Sequence, residues 1–403
     1  MNDTARHPPK LGMLVFILAT LTAFGPLSID MYLPAFPQIA SDFKTSISTV
    51  QLSLTSFFIG LALGQVFYGP VIDRYGRKPP VYFGLVVYGL ASVLCAFSPN
   101  AETLIFGRFL QALGGCAGMV VSRAIVRDLY EERDAARVFS LLMLVMGVAP
   151  ILAPIVGGYI TLNWGWHAVF GLLSVISLVC LLAVYAVLPE TRGPNPSIKL
   201  SSALQTYASI ARNRRFIGYT ISGALVQAGM FAYITGSPFV FIELFKIPSE
   251  SYGWIFGSNA FGLIAASQIN VRLLKKTSPE TILKYSFGIL ALASVCLVVA
   301  TIAGLGFWGL VVPLFIYIST LGITLPNTAA AALSAEGARA GSASAFLGTT
   351  QFTLAALSSA AVSSFDNGTA MPMSGAMAVC GLLALVMYYK VAAKTRSLTP
   401  LSV

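Results

Sequence analysis

Apolar residues run through this chain in blocks of about twenty, parted by short polar connections, from residue 11 almost to the end. About twenty apolar residues, rising 1.5 Å each in a helix, cross the hydrocarbon core of a bilayer. Twelve such blocks lie near residues 11–33, 48–70, 79–98, 102–124, 137–160, 166–189, 216–241, 251–273, 281–303, 306–332, 342–363 and 370–392. They predict twelve helices, because lipid offers no partner for backbone N–H and C=O groups and each segment must satisfy its own. Their many glycines and prolines fit, since membrane helices carry more of both than soluble ones. The first block follows a polar basic tail, MNDTARHPPK, and lacks a small-residue cleavage site, so it is expected to stay as a helix.

Composition agrees with lipid as the solvent. Of the 403 residues, 56% are hydrophobic and 10% charged, where a soluble domain carries about 25% charged residues. Mean hydropathy is +0.80. The net charge of +10 does not point to nucleic acid, because the bases are dispersed among the connections and form no water-facing basic patch. The cysteines, Cys95, Cys116, Cys180, Cys296 and Cys380, sit singly within apolar blocks, and their odd number without a CxxC pair argues against a disulfide or metal framework.

The bases set an orientation. With the N-terminus in the cytoplasm, 22 of the 25 Lys and Arg residues fall on that side, Lys44 and Lys246 fall on the other, and Arg108 lies within a helix. That asymmetry predicts both termini in the cytoplasm. The longest connection lies between the sixth and seventh helices. The expected organisation is a tail at 1–10, a six-helix bundle at 11–189, a cytoplasmic linker at 190–215, a second six-helix bundle at 216–392 and a tail at 393–403. A six-plus-six layout suggests two related bundles around a central cavity. Direct repetition is weak: Lys275 falls near the place of Lys78, but Asn270 stands where Asp73 would be.

Between the second and third blocks runs Gly69-Pro70-Val71-Ile72-Asp73-Arg74-Tyr75-Gly76-Arg77-Lys78-Pro79. Physically this is a tight basic turn with one carboxylate at a helix end. Its GxxxDRxGRKP spacing resembles the signature loop of the major facilitator superfamily. The resemblance implies a gate that helps lock the bundles in one state, built from Gly69, Asp73, Arg74, Gly76 and Arg77. It places Asp73 near the start of helix eleven, where a helix N-terminus favours a carboxylate, and pairs Arg77 with Asp128 at the end of helix four.

Four further segments resemble the drug–proton antiporters of that superfamily, the bicyclomycin-resistance type in particular. They are Pro26-Leu27-Ser28-Ile29-Asp30-Met31-Tyr32-Leu33-Pro34 in helix one and Arg108-Phe109-Leu110-Gln111-Ala112-Leu113-Gly114 in helix four. Helix five carries Ala149-Pro150-Ile151-Leu152-Ala153-Pro154-Ile155-Val156-Gly157-Gly158, and helix seven Gly236-Ser237-Pro238-Phe239-Val240. Pro150, Pro154, Gly157 and Gly158 match the antiporter motif, with Ala153 in place of the usual glycine. The resemblance implies export of small drugs, bicyclomycin-like antibiotics among them, in exchange for protons by a monomer in a bacterial inner membrane, with no cofactor. Related carriers also move sugars and amino-acid metabolites, so a proton-coupled exporter of these is the alternative.

Asp30 is the leading candidate for chemistry, because a carboxylate in a spanning segment is costly and marks function by default. It lies about nineteen residues along an outward helix, and Arg108 about six residues along an inward one; at 1.5 Å per residue both reach the outer part of the membrane. The two are expected to meet, Asp30 as the proton-titrating group and Arg108 as its tuning partner. Gln111, Gln227, Asn259, Asn327 and Gln351 are candidates to line a cavity or to bond between helices. Tyr32, Phe36, Phe231 and Tyr233 could add an apolar wall with polar handles. Trp164, Trp166 and His167 read as an interfacial belt. Neither histidine makes a metal site, and Glu336 and Arg339 read as flanks of a turn. No GxxxxGK[ST] phosphate loop occurs, which disfavours ATP-driven transport. No catalytic constellation or large soluble domain supports an enzyme or receptor.

Overall fold

The computed structural model describes residues 11–130, 132–195, 207–336 and 340–392. Twelve long helices occur among them. They are α1 (Leu11–Asp30), α2 (Ile47–Tyr75), α3 (Lys78–Ala96), α4 (Ala101–Leu129), α5 (Glu132–Trp164) and α6 (Trp166–Val187), then α7 (Arg214–Pro238), α8 (Ser249–Leu273), α9 (Pro279–Ile302), α10 (Gly306–Ser334), α11 (Ala340–Ser364) and α12 (Met371–Met387). Eleven are long and apolar enough to cross a membrane; α8, with its Ser, Asn and Gln residues, is the long helix not among them.

Helix starts follow from sequence chemistry. Ser46, Asn100 and Ser278 each accept a bond from the backbone N–H three residues on, and Asn213 caps Arg215 and Phe216. A capping oxygen satisfies one of the N–H groups that a helix leaves open. The first helix is shorter than its apolar block. It stops at Asp30, and the chain turns through Leu33–Ala35 into a short helix, Phe36–Asp42. Pro34 and Pro37 set that break, since each removes a donor and fixes φ.

Packing repeats with a shift of six helices. The pairs α1·α5, α2·α4, α3·α4 and α3·α6 recur as α7·α11, α8·α10, α9·α10 and α9·α12. The two halves meet along α2·α11 and α5·α8, and the same shift exchanges these seams. Repetition that the sequence barely carries is therefore plain in the packing.

Two expectations change. Trp166 is buried, donates Nε1 to Asp42 at 2.8 Å and stacks on His167, so it is a core residue; Trp164 remains exposed. The expected linker at 190–215 falls in part on residues outside the described ones, and Arg339 lies outside them. Glu336 is buried and accepts Nδ2 of Asn213 at 2.7 Å.

Candidate functional site

A cavity of about 230 Å³ lies between the two halves, walled by α1, α2, α4, α5, α7, α8, α10 and α11. Pro26 and Pro150 face it from α1 and α5, each at a place where the helical bond ladder lacks a donor. Met119, Met146, Met230, Phe231, Phe256 and Phe352 give an adaptable apolar wall. The polar groups are Asp30, Gln227, Tyr233 and Asn259. Asn259 donates Nδ2 to the Tyr233 hydroxyl at 3.1 Å, while its Oδ1 accepts nothing. Asp30 is 3% exposed, and its Oδ1 likewise accepts nothing.

The structure does not bring Asp30 and Arg108 together as an ion pair. Arg108 is fully buried inside the first half, with its guanidinium 4.3 Å from the Tyr32 ring centre and 4.2 Å from that of Phe57. It donates to the Ser28 carbonyl at 2.7 Å and to Gln111 Oε1. The reason is angular. The shared depth is right, but Ser28 faces the interior, bonding Tyr88 at 2.6 Å. Asp30, two residues on, is turned about 200° around the helix. Aromatic faces and carbonyl oxygens stand in for the carboxylate as the arginine's surroundings.

Other cavity candidates divide. Gln227, Phe231, Tyr233 and Asn259 line the cavity. Tyr32 instead bonds Ser53 at 2.9 Å beside Arg108, with Phe36 packed on its ring. Gln111 donates to Ser92 at 2.7 Å, and Asn327 donates to Asn270 at 2.7 Å between α10 and α8. Gln351 is half-buried next to Phe352 but is not in the cavity wall. In each bonded case a nearby helix supplied a partner, and spacing alone does not reveal one. The lining residues missed in the sequence are apolar, Met119, Met146, Met230, Phe256 and Phe352 together with aliphatic residues such as Leu61 and Leu263, and all look like ordinary membrane-helix residues.

In α5, Gly157 lies against the end of α1, where a Cβ would collide with the Met31 carbonyl. Gly158 meets the Ser249 carbonyl at the start of α8. Pro154 lies one turn before them in the same helix.

The signature loop forms a closed polar cluster. Arg77 donates Nε to Asp128 at 2.8 Å, and Nη1 to Asp73 at 2.9 Å and to the Ile72 carbonyl at 3.0 Å. Gly76 has φ +87°, and an added Cβ would crowd Glu190. Residues after α6, read from sequence only as linker, complete the cluster. Glu190 accepts the backbone N–H groups of Arg77 and Lys78 at 2.7 and 3.1 Å. Thr191 donates to Asp128 at 2.9 Å, and Arg192 lies 3.7 Å from Asp73. An acid followed by a hydroxyl and a base just past an apolar block was the available signal. Arg74 accepts Asn195 N–H at its carbonyl, and Gly69 lies near the Tyr207 hydroxyl. The expected approach of Asp73 to helix eleven borders residues 337–339, outside the described ones.

Burial raises the cost of ionised Asp128, but bonds from Arg77 and Thr191 and the nearby positive charges hold its carboxyl below the ordinary range. Burial likewise works against charged Arg77, and bonds from it to Asp128 and Asp73 outweigh that, raising its range.

A bundle of apolar helices with an internal cavity between two similarly packed halves defines a membrane transporter. The chain belongs to the Major Facilitator Superfamily, whose family model matches residues 18–360. It is 37% identical over 380 residues to an uncharacterized MFS-type transporter, YdgK, of Bacillus subtilis (strain 168), covering 93% of this chain and 94% of that one. It is 31% identical over 379 residues to the bicyclomycin resistance protein homolog of Haemophilus influenzae, covering 94% and 95%. The multidrug resistance protein MdtL of Citrobacter koseri is 30% identical over 332 residues, covering 82% and 83%. The crystal structure of a D-xylose-proton symporter superposes with a TM-score of 0.74 at 14% identity, over 97% of this chain and 100% of that chain. That likeness shows the fold.

Proposed function

We propose that this chain is a secondary active exporter that expels small drugs in exchange for protons by alternating access. Its twelve helices cross a bacterial inner membrane as two six-helix bundles, with both termini and the Arg77 cluster on the cytoplasmic side. The protein acts as a monomer. Asp30 takes up and releases the proton, and Arg108 supports the α1 backbone from behind by bonding the Ser28 carbonyl. Gln227, Phe231, Tyr233 and Asn259 contact substrate. The cluster of Gly69, Asp73, Arg74, Gly76, Arg77 and Asp128 gates the cytoplasmic side, and Pro150, Pro154, Gly157 and Gly158 shape the seal of α5 against α1 and α8.

One observation carries this reading: a buried carboxylate without a bonded partner at Oδ1 sits in a cavity between the halves. An ionisable group there is costly unless it is used. The names of two relatives support drugs as cargo. The test is drug-dependent proton transport in proteoliposomes, comparing the unaltered chain with Asp30→Asn. The variant should insert normally and lose proton-driven efflux. Survival of pH-gradient-driven transport would refute the role of Asp30.

The cavity favours a second reading. Its volume falls below the range of about 300–1,000 Å³ usual for drug-sized pockets. A sugar or amino-acid metabolite would fit it in this state. Matched metabolite-efflux and drug-resistance assays separate the two.

A further inference from the structure

Two residues that line the cavity each carry a buried acceptor atom without a donor: Asp30, at Oδ1, on α1 and Asn259, at Oδ1, on α8. Both side chains are at least nine-tenths buried. They come from opposite halves of the molecule, and both belong to residues lining the same cavity. Buried acceptors are nearly always paired, and each unmade bond is costly. Many interior polar side chains are satisfied at short range, as Gln111 is by Ser92 and Ser237 is by Tyr252. Other buried side-chain atoms without a partner, such as Gln51 Oε1, Arg108 Nε and the Tyr317 hydroxyl, belong to residues outside the cavity wall. Asn259 Nδ2 is directed to the Tyr233 hydroxyl. The terminal torsions of Asp and Asn are broad, so a small turn brings either oxygen to the cavity. Apart from Gln227 and Tyr233, the rest of the wall, including Met146, Phe256 and Phe352, is apolar.

We propose that Asn259 is a specificity-determining residue, and that the cavity selects a compact, largely apolar ligand carrying two hydrogen-bond donors, one for Asp30 and one for Asn259. This rests on the exporter reading for its meaning as a substrate preference. The ligand need not be a cation: amide N–H or hydroxyl groups supply the same donors. Because the two acceptors belong to opposite halves, such a ligand bridges them. A ligand with an apolar body but no donors fills the volume and leaves both oxygens unpaired. Discrimination then comes from buried acceptors left without partners, which rejects an analogue lacking the donor more strongly than apolar shape does.

The experiment is equilibrium binding to the purified full chain in detergent micelles. One probe is the cyclic dipeptide of leucine and alanine, a small ring with two amide N–H donors. The other is its N,N′-dimethyl derivative, which keeps the ring and removes both donors. The unaltered chain should bind the first about tenfold to a hundredfold more tightly. Asn259→Leu should bind the dimethyl probe at least as well as the unaltered chain and lose about tenfold of the preference. Should Asn259→Leu bind neither, Asn259→Thr, which restores an acceptor hydroxyl, must bind both with most of the preference for the proposal to stand. Equal affinity of the unaltered chain for both probes would mean that water completes these oxygens, and would overturn it. So would binding of neither probe, or full preference in Asn259→Leu. The readout needs no proton movement: absent proton coupling would defeat the antiport reading and leave the donor assignment standing.

Discussion

The loop between α2 and α3 and the loop between α8 and α9 hold equivalent places in the two halves, yet different forces fasten them. In the first, one guanidinium bridges two carboxylates, and three residues after α6 close the ring around it. In the second, Asn270 stands at the place of Asp73 and accepts a neutral bond from Asn327. Glu336, just beyond the end of α10 as Asp128 is at the end of α4, takes a bond from the neutral Asn213. The bases of the second loop, Arg272, Lys275 and Lys276, are exposed and make no ion pair among the described residues. Equivalent packing therefore does not require equivalent chemistry. The helices dock through apolar surfaces common to both halves, and the bridge of Arg77 between Asp73 and Asp128 has no counterpart at Asn270, which bonds as an amide. A ring of charge-assisted bonds is strong and directional when made. It is also costly to leave half made, because a buried charge then loses its partner. Such a device suits a contact that must be either fully formed or fully released, whereas the amide pair acts as a fastening.

The largest break should come from Arg77→Ala. Its side chain is 3% exposed, against 44% for Asp73 and 19% for Asp128. Removing it leaves Asp128 with the Thr191 hydroxyl and Asp73 with the more distant Arg192, and frees the Ile72 carbonyl. The expected loss is about 3 kcal/mol, the low end for a broken buried pair because water reaches both acids. Thermal unfolding in micelles measures it. A loss below about 1 kcal/mol would place the cluster with ordinary surface pairs.

Glu190→Ala should cost less, about 1 kcal/mol, the usual worth of a capping oxygen. It removes the acceptor for two N–H groups at the start of α3. The same measurement applies, and protease cleavage near Arg77 should rise. An unchanged cleavage rate would show that Pro79 and Pro80 define that helix start unaided. On the other side of the comparison, Asn327→Leu should cost about 0.6 kcal/mol, the average for bonds between membrane helices. If it matched Arg77→Ala, the contrast between the loops would fail.

Most of the fold was legible because lipid imposes a length and an apolar character on each segment. Block edges missed where helices run on past the apolar stretch, as α5 does in beginning at Glu132 and ending at Trp164. The break after Asp30 was written in Pro34 and Pro37, but an apolar block continues through it. The site was legible in part. Asp30 stood out by cost alone, and its cavity position agrees with that signal. Its pairing with Arg108 was misread because depth along a helix does not give the direction around it. Inward-bonded Ser28 and cavity-lining Asp30 are only two positions apart. Tyr32 was misplaced for the same reason, and Gln111 takes the second of its two expected uses, since partners such as Ser53 and Ser92 lie on other helices and cannot be inferred from spacing. Glu190, Thr191 and Arg192 were passed over because hydropathy ends a block at its last apolar residue and treats the polar residues beyond it as connection.

Acid should separate the two loops by the smallest margin, and only at the extreme. Asp128 has its range lowered by its partners, so its contribution is complete above the ordinary carboxylate value of 3.8 and is lost as pH falls through the lower, folded value. Arg77 has its range raised, so its contribution persists at every neutral or acidic pH. Between about pH 5 and pH 8 the Arg77→Ala penalty should therefore stay flat, and it should begin to shrink only below 3.8. The Asn327→Leu penalty, between uncharged amides, should not move over either interval. Unfolding of both variants and the unaltered chain from pH 8 to pH 3 tests this. A steep change in the Arg77→Ala penalty near pH 6 would contradict it and would make the cluster itself a proton sensor. A flat one means that protons do not address the cluster directly at physiological pH. Proton sensitivity of transport in that interval would then have to arise elsewhere, and the buried carboxylate of Asp30 is the group the cavity offers for it.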